Sequence, residues 1–148
     1  MRRILLGAAV IFIVGMLAIQ LVPYGRDHIN PSITGEPLWD SAATRELAVT
    51  ACFDCHSNET RWPWYSNVAP FSWRVQGHVD EGRAKLNFSE CGAREQETDE
   101  IAKSVRKGEM PPGDYLLLQR AARLSDADTQ TLIDGLTKTF GPGEGEED

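Results

Sequence analysis

From Ile4 to Val22 the chain runs for 19 residues without a charge, and Gln20 is the only strongly polar side chain among them. As an α-helix this run spans ~28 Å, close to the ~30 Å hydrocarbon core of a bilayer. A helix on the surface of a soluble core carries a polar stripe, and this one has none. Arg2 and Arg3 lie on one flank, while Arg26 and Asp27 nearly cancel on the other. That asymmetry places the N-terminus in the cytoplasm and everything after Pro23 outside. A cleaved signal peptide is the alternative, although no small-x-small cleavage site precedes Pro23. Residues 1–22 are therefore expected to be a single-pass anchor in the inner (cytoplasmic) membrane, with the rest on the periplasmic, extracytoplasmic side.

The remaining chain is long enough for one domain with one core. Of 15 basic residues two precede this part, which leaves 13 against 22 acidic residues, a net −9. No basic stripe is present, which argues against nucleic acid as a partner. Residues 23–39 mix Pro, Gly, Asn and Ser without periodicity and read as a tether. The acidic residues 142–148 read as a disordered tail.

Between them, residues 40–141 show helical spacing and no strand alternation. Asp40 or Ser41 can cap a helix that carries Leu47, Ala48, Ala51, Cys52 and Cys55 on one face. Ser66 or Asn67 precedes a second helix, with Pro70 in its first turn and Phe71, Val75, His78, Val79 and Gly82 on one side. A third covers about Thr98 to Lys107 and stops at Gly108. Ser125 caps the last, which carries Leu132, Ile133, Leu136 and Phe140 and ends at Gly141-Pro142. The fold class expected is all-α: about four helices joined by long loops, preceded by the membrane helix. Long loops in a small domain need a body to pack on, and a prosthetic group would supply one.

Cys52-Phe53-Asp54-Cys55-His56 is the C-x-x-C-H pattern of c-type haem attachment. Two thiols at this spacing reach the two vinyl groups on one porphyrin edge, and the adjoining imidazole falls under the iron. Cys52 and Cys55 are then thioether ligands and His56 the proximal axial ligand of one covalent haem c. A redox dithiol is a second reading, but it expects a βαβ setting that is not visible. A zinc site that adds Cys91, the third and last cysteine, is another. There the adjacent Cys55 and His56 would have trouble filling two corners of one tetrahedron.

For the sixth iron position Met110 is the expected ligand. Met1 is the start and Met16 lies in the anchor. The run Gly108-Glu109-Met110-Pro111-Pro112-Gly113 is a helix stop followed by a stiff turn, suited to aiming a thioether. His78, on the apolar face of the second helix, is the alternative ligand. Arg61, Trp62, Trp64 and Tyr65 follow the motif closely. Indole and phenol donors there suit haem propionates, and Arg61 or Arg74 would offset their charge. The competing reading of these residues is core packing with solvated arginines.

The order of motif, Met-Pro loop and terminal helix resembles a class I cytochrome c. A more particular resemblance rests on Asp54-Cys55-His56-Ser57-Asn58-Glu59-Thr60, Trp62-Pro63-Trp64-Tyr65-Ser66-Asn67, Pro70, His78, Gly82-Arg83, Leu86-Asn87-Phe88-Ser89, Gly108-Glu109-Met110-Pro111-Pro112 and Tyr115. Over about Leu47 to Leu136 the chain resembles the bacterial haem-binding domain family of small exported cytochrome-like proteins. It departs from that pattern at Cys91, where an aromatic is common, and at Gln119-Arg120, where a His-Pro pair is common. The resemblance implies haem binding. Together with the motif it leads to an expected non-enzymatic, single-electron carrier whose partners are membrane redox complexes or other electron-transfer proteins. A haem-based sensor with an open or weak sixth position is the alternative, and a small peroxidase ranks last because the sequence has one C-x-x-C-H and no obvious distal acid–base pair.

Overall fold

The computed structural model describes residues 1–92, 98 and 100–141. Among them are seven α-helices: α1 (Arg2–Ile19), α2 (Ala42–Ala51), α3 (Phe53–His56), α4 (Phe71–Lys85), α5 (Ile101–Arg106), α6 (Gly113–Leu118) and α7 (Asp126–Phe140). Short 3₁₀ turns cover Trp64–Asn67 and Arg120–Ala122. The described residues contain no strand, only one isolated bridge between Gly35 and Glu90. The all-α expectation holds. The acidic tail lies outside the described residues.

Helix α1 is apolar and long enough to cross a membrane, and none of its residues is buried against the rest of the protein. It ends at Ile19, three residues short of the apolar run, because Pro23 closes off further helix and Gln20 turns to other partners. The Gln20 amide donates to Ala69 O (2.8 Å) and accepts from Ala69 N–H (3.0 Å). One side chain thus clasps both backbone groups of a residue 49 positions away.

Residues 23–39, expected to be a tether, lie docked along the domain. His28 stacks on Trp62 with ring centroids 4.7 Å apart, and its Nε2 is 2.8 Å from the Ser66 hydroxyl. Tyr24 donates to Asp80 (2.9 Å), and Asn58 donates to Ser32 O (3.0 Å). Gly35 accepts from Cys91 N–H (2.9 Å). Glu36 receives two bonds from Arg45, one of them at 2.7 Å, and the Trp39 indole N–H at 2.9 Å. Apart from those of Glu36, these partners lie far off in sequence, so composition alone reads as linker.

Six helices follow α1 where about four were expected. The expected helix through Cys55 breaks at Cys52 (φ −121°), so that α2 carries the approach and α3 the motif. The Pro111-Pro112 turn leads directly into α6, an added helix with Asp114 in its first turn. Ser66 and Asn67 belong to a 3₁₀ turn, so α4 starts at Phe71 with Pro70 before it. The ends read from capping chemistry fare better. Ser41 Oγ accepts from Thr44 N–H, and Ser125 Oγ accepts from Asp128 N–H.

The core joins Ala48, Phe53, Phe88, Ala102, Leu132 and Leu136, with Trp39 and Phe140 packed on its edge. Burial of each large side chain stabilises the fold by ~1.5–3 kcal/mol. Helices α2 and α7 meet where Gly135 faces Thr44. A β-carbon at 135 would overlap the Thr44 side chain, so the two backbones approach closely only because position 135 has none.

Two predictions follow from this packing. Gly135→Ala gains up to ~1 kcal/mol of helix propensity but suffers a clash of roughly 1–3 kcal/mol. The expected result is a lowered melting temperature, partly restored by adding Thr44→Gly. The second concerns Glu36, whose carboxyl the Arg45 guanidinium holds below its usual range. Its contribution is full above the unfolded carboxylate pKa and is lost as pH falls through the lower folded value. The melting-temperature advantage of wild type over Glu36→Gln should be full at about pH 7 and shrink progressively as the pH falls below the ordinary carboxylate range.

Candidate haem site

The motif sits at a helix junction because α2 and α3 meet at Cys52. Helix α4 then lies directly on α3. A β-carbon at Gly82 would sit 2.5 Å from Cys55 O and 3.1 Å from Cys55 Cβ, so glycine alone permits this contact. The following Arg83 reaches across four partners: Ser57 O (2.8 Å), Ile29 O (3.0 Å), Asn30 Oδ1 (2.9 Å) and Thr60 Oγ1 (3.0 Å). One guanidinium therefore fixes the loop after the motif to the docked N-terminal segment.

His56 donates from Nδ1 to Leu86 O at 3.1 Å. A carbonyl only accepts, so Nδ1 carries the proton and Nε2 keeps its lone pair. Burial pushes the imidazole below its usual range, while the Leu86 and Gly82 carbonyls pull the other way. This is the neutral, oriented tautomer that a metal-ligating histidine needs. The strand-like run after α4 is zipped to the motif by buried amides. Phe88 N–H donates to His56 O (2.8 Å), Asn87 Nδ2 donates to Asn58 Oδ1 (2.8 Å), and Asn58 N–H donates to Ser89 Oγ (3.0 Å).

Both motif thiols are free, and burial pushes each up to about 12. Cys52 packs on the main core. Cys55 lines a narrow cleft with Asp54, Tyr65, Val75, His78 and Tyr115. The cleft encloses about 30 Å³. Two thiols at this spacing and an adjoining imidazole held through Nδ1 are a donor set whose chemistry fits covalent haem.

The remaining candidates are dispersed. His78 lines the Cys55 cleft with its side chain 18% exposed, and its Nε2 is 3.7 Å from Asp114. Met110 is 37% exposed on the turn after α5, and its N–H donates to Ser104 O (3.3 Å). Trp62 is taken up by His28 and Asn30. Trp64 points outward, and Tyr65 lines the cleft. Arg74 pairs with Asp114 at 2.7 Å. Cys91 sits beside the Gly35 bridge, and among the described residues no three His, Cys, Asp or Glu side chains gather as a metal site.

Sequence reasoning missed Asp54. This buried carboxylate accepts from Arg61 N–H (3.1 Å), Arg61 Nε (2.9 Å), Arg61 Nη2 (3.2 Å) and the Tyr115 hydroxyl (2.8 Å). Arg61 is thereby committed to Asp54. Burial and the Asp54 charge raise the Tyr115 phenol far above its usual range, so it stays a donor. The available signal was an acidic residue inside the motif with an arginine seven positions on.

The fold and site define a small all-helical domain built around a C-x-x-C-H helix junction, with an apolar helix ahead of it. A model of the haem-binding domain family matches residues 14–138, and the chain belongs to that family. The match begins inside α1 and takes in the whole docked segment. No curated protein and no solved structure matches the chain.

Removing the Tyr115 hydroxyl should destabilise the domain by about 1 kcal/mol, and Asp54→Asn by about 2 kcal/mol. Because the two groups share one bond, the double variant should fall short of the sum by up to ~1 kcal/mol in denaturant unfolding. Strict additivity would show that the bond contributes nothing.

Proposed function

We propose that this haem-binding domain protein is a membrane-anchored c-type cytochrome. One haem is attached through Cys52 and Cys55, with His56 as proximal ligand, and the protein passes single electrons rather than catalysing a reaction. The observation that carries this reading is the C-x-x-C-H junction with His56 Nδ1 held by Leu86 O. When bound, the haem supplies a one-electron ferric/ferrous couple. The chain's own part is to hold Nε2 in the neutral tautomer, to surround the motif with apolar side chains, and to keep the junction rigid through Gly82 and Arg83. Helix α1 anchors the domain on the periplasmic side, close to the membrane redox complexes or carriers that exchange electrons with it.

Met110 is the sixth ligand in this reading, and His78 is its rival because it already lines the Cys55 cleft. An open sixth position, suited to a haem-based sensor, is favoured by one observation: Met110 does not line that cleft.

Protein made in a cytochrome-maturing host should have the mass of the polypeptide plus one haem, resistant to acid-acetone extraction. Cys52→Ala/Cys55→Ala should lose that resistance. An unmodified mass for wild type would defeat the proposal. Visible spectra settle the sixth ligand. Met110→Ala should convert a low-spin spectrum to one that binds carbon monoxide rapidly when reduced, and His78→Ala should not. Rapid carbon monoxide binding by wild type would instead support the sensor.

A further inference from the structure

The aromatic block after the motif divides in two. Trp62 turns inward on His28, whereas Trp64 is 80% exposed, Phe71 52% and Val68 42%. Tyr65, at the Cys55 cleft, makes edge contacts with Trp64 (5.9 Å) and with Phe71 (6.2 Å), so the two outward rings are linked through it in a strip. Haem attachment has no use for side chains that face away from the domain.

The position of this strip is fixed by the Gln20 clasp. Ala69 lies between Val68 and Phe71 and is hydrogen-bonded through both backbone groups to the residue that ends α1. With Arg2 and Arg3 at the near headgroups, residues 4–19 of α1 rise ~24 Å, so Gln20 stands close to the far boundary of the ~30 Å hydrocarbon core. The headgroup layer is ~5–8 Å deep on each side. Ala69 in contact with Gln20 falls inside it, and Val68 and Phe71 are one and two residues away. Leu21 and Val22, the two residues after Gln20, are also exposed. Tryptophan and tyrosine favour this layer because they join an apolar body to a polar edge.

We propose that Trp64, Val68 and Phe71, with Leu21 and Val22, form a second membrane contact that seats the domain in the interfacial layer of the lipid bilayer beside α1. The lipid surface is the occupant because the strip begins where the spanning helix leaves the hydrocarbon. This inference rests on α1 spanning the membrane, and the test separates the two.

The haem-loaded full chain is reconstituted in phosphatidylethanolamine–phosphatidylglycerol vesicles that contain a trace of phospholipid with a diazirine near the acyl carbonyl. After photolysis and trypsin digestion, mass spectrometry compares three peptides: Ile4–Arg26, Trp62–Arg74 and Leu124–Lys138. The expected result is lipid adducts on the first two, several-fold above the third. Val68→Asp/Phe71→Asp should lower the Trp62–Arg74 adducts several-fold and leave those on Ile4–Arg26 unchanged. Adducts on Ile4–Arg26 with Trp62–Arg74 no higher than Leu124–Lys138 would overturn the contact and leave the anchor standing. Such an unlabelled strip is also what a protein occupant would give. Absence of adducts on Ile4–Arg26 would overturn the anchor and the contact together.

Discussion

The close seating of α4 on the motif governs the rest of the structure. Two backbones touch at Gly82 and Cys55 because no β-carbon separates them. That contact brings Leu86 O within reach of His56 and sets the imidazole tautomer. It also aims Arg83 at the loop after the motif, where its fan of bonds joins Ser57, Thr60 and the docked N-terminal segment. The orientation of the His56 ring is thus a product of helix packing as much as of the pentapeptide.

The residues that accompany the motif have structural work of their own. Asn58, Asn87 and Ser89 are almost fully buried and satisfy one another and nearby backbone groups. Buried amides left unpaired would each cost ~1–3 kcal/mol, so this cluster is stable only as a set. Asp54 extends the same logic toward α6. Its bond with Tyr115 ties the motif to the segment that begins with Met110-Pro111-Pro112. The blocks on which the family resemblance rests are largely the ones that close these polar contacts.

Much of the fold was legible where local chemistry decides. The apolar run, the serine caps of α2 and α7, the stripe Leu132-Ile133-Leu136 and the haem motif all follow from neighbours within a turn or two. What escaped was set by distant partners. Nothing near Cys52 announces the break between α2 and α3, and nothing near His28 announces its stack on Trp62, 34 positions later. Arg61 reads locally as a candidate for propionates, but a carboxylate inside the motif claims it. The candidate haem ligands were readable one by one; the hydrogen-bond network around them was not.

In the membrane-anchored reading proposed above, the Gln20 clasp changes what α1 does mechanically. A domain on a flexible leash would sweep a hemisphere and meet partners at any height and angle. Clasped at Ala69 and laid down along residues 23–39, this domain can spin about the α1 axis and drift sideways, with little freedom to rise or tilt. For the electron carrier proposed above, the search for a redox partner would then be two-dimensional, limited to complexes that present their docking face at the matching altitude.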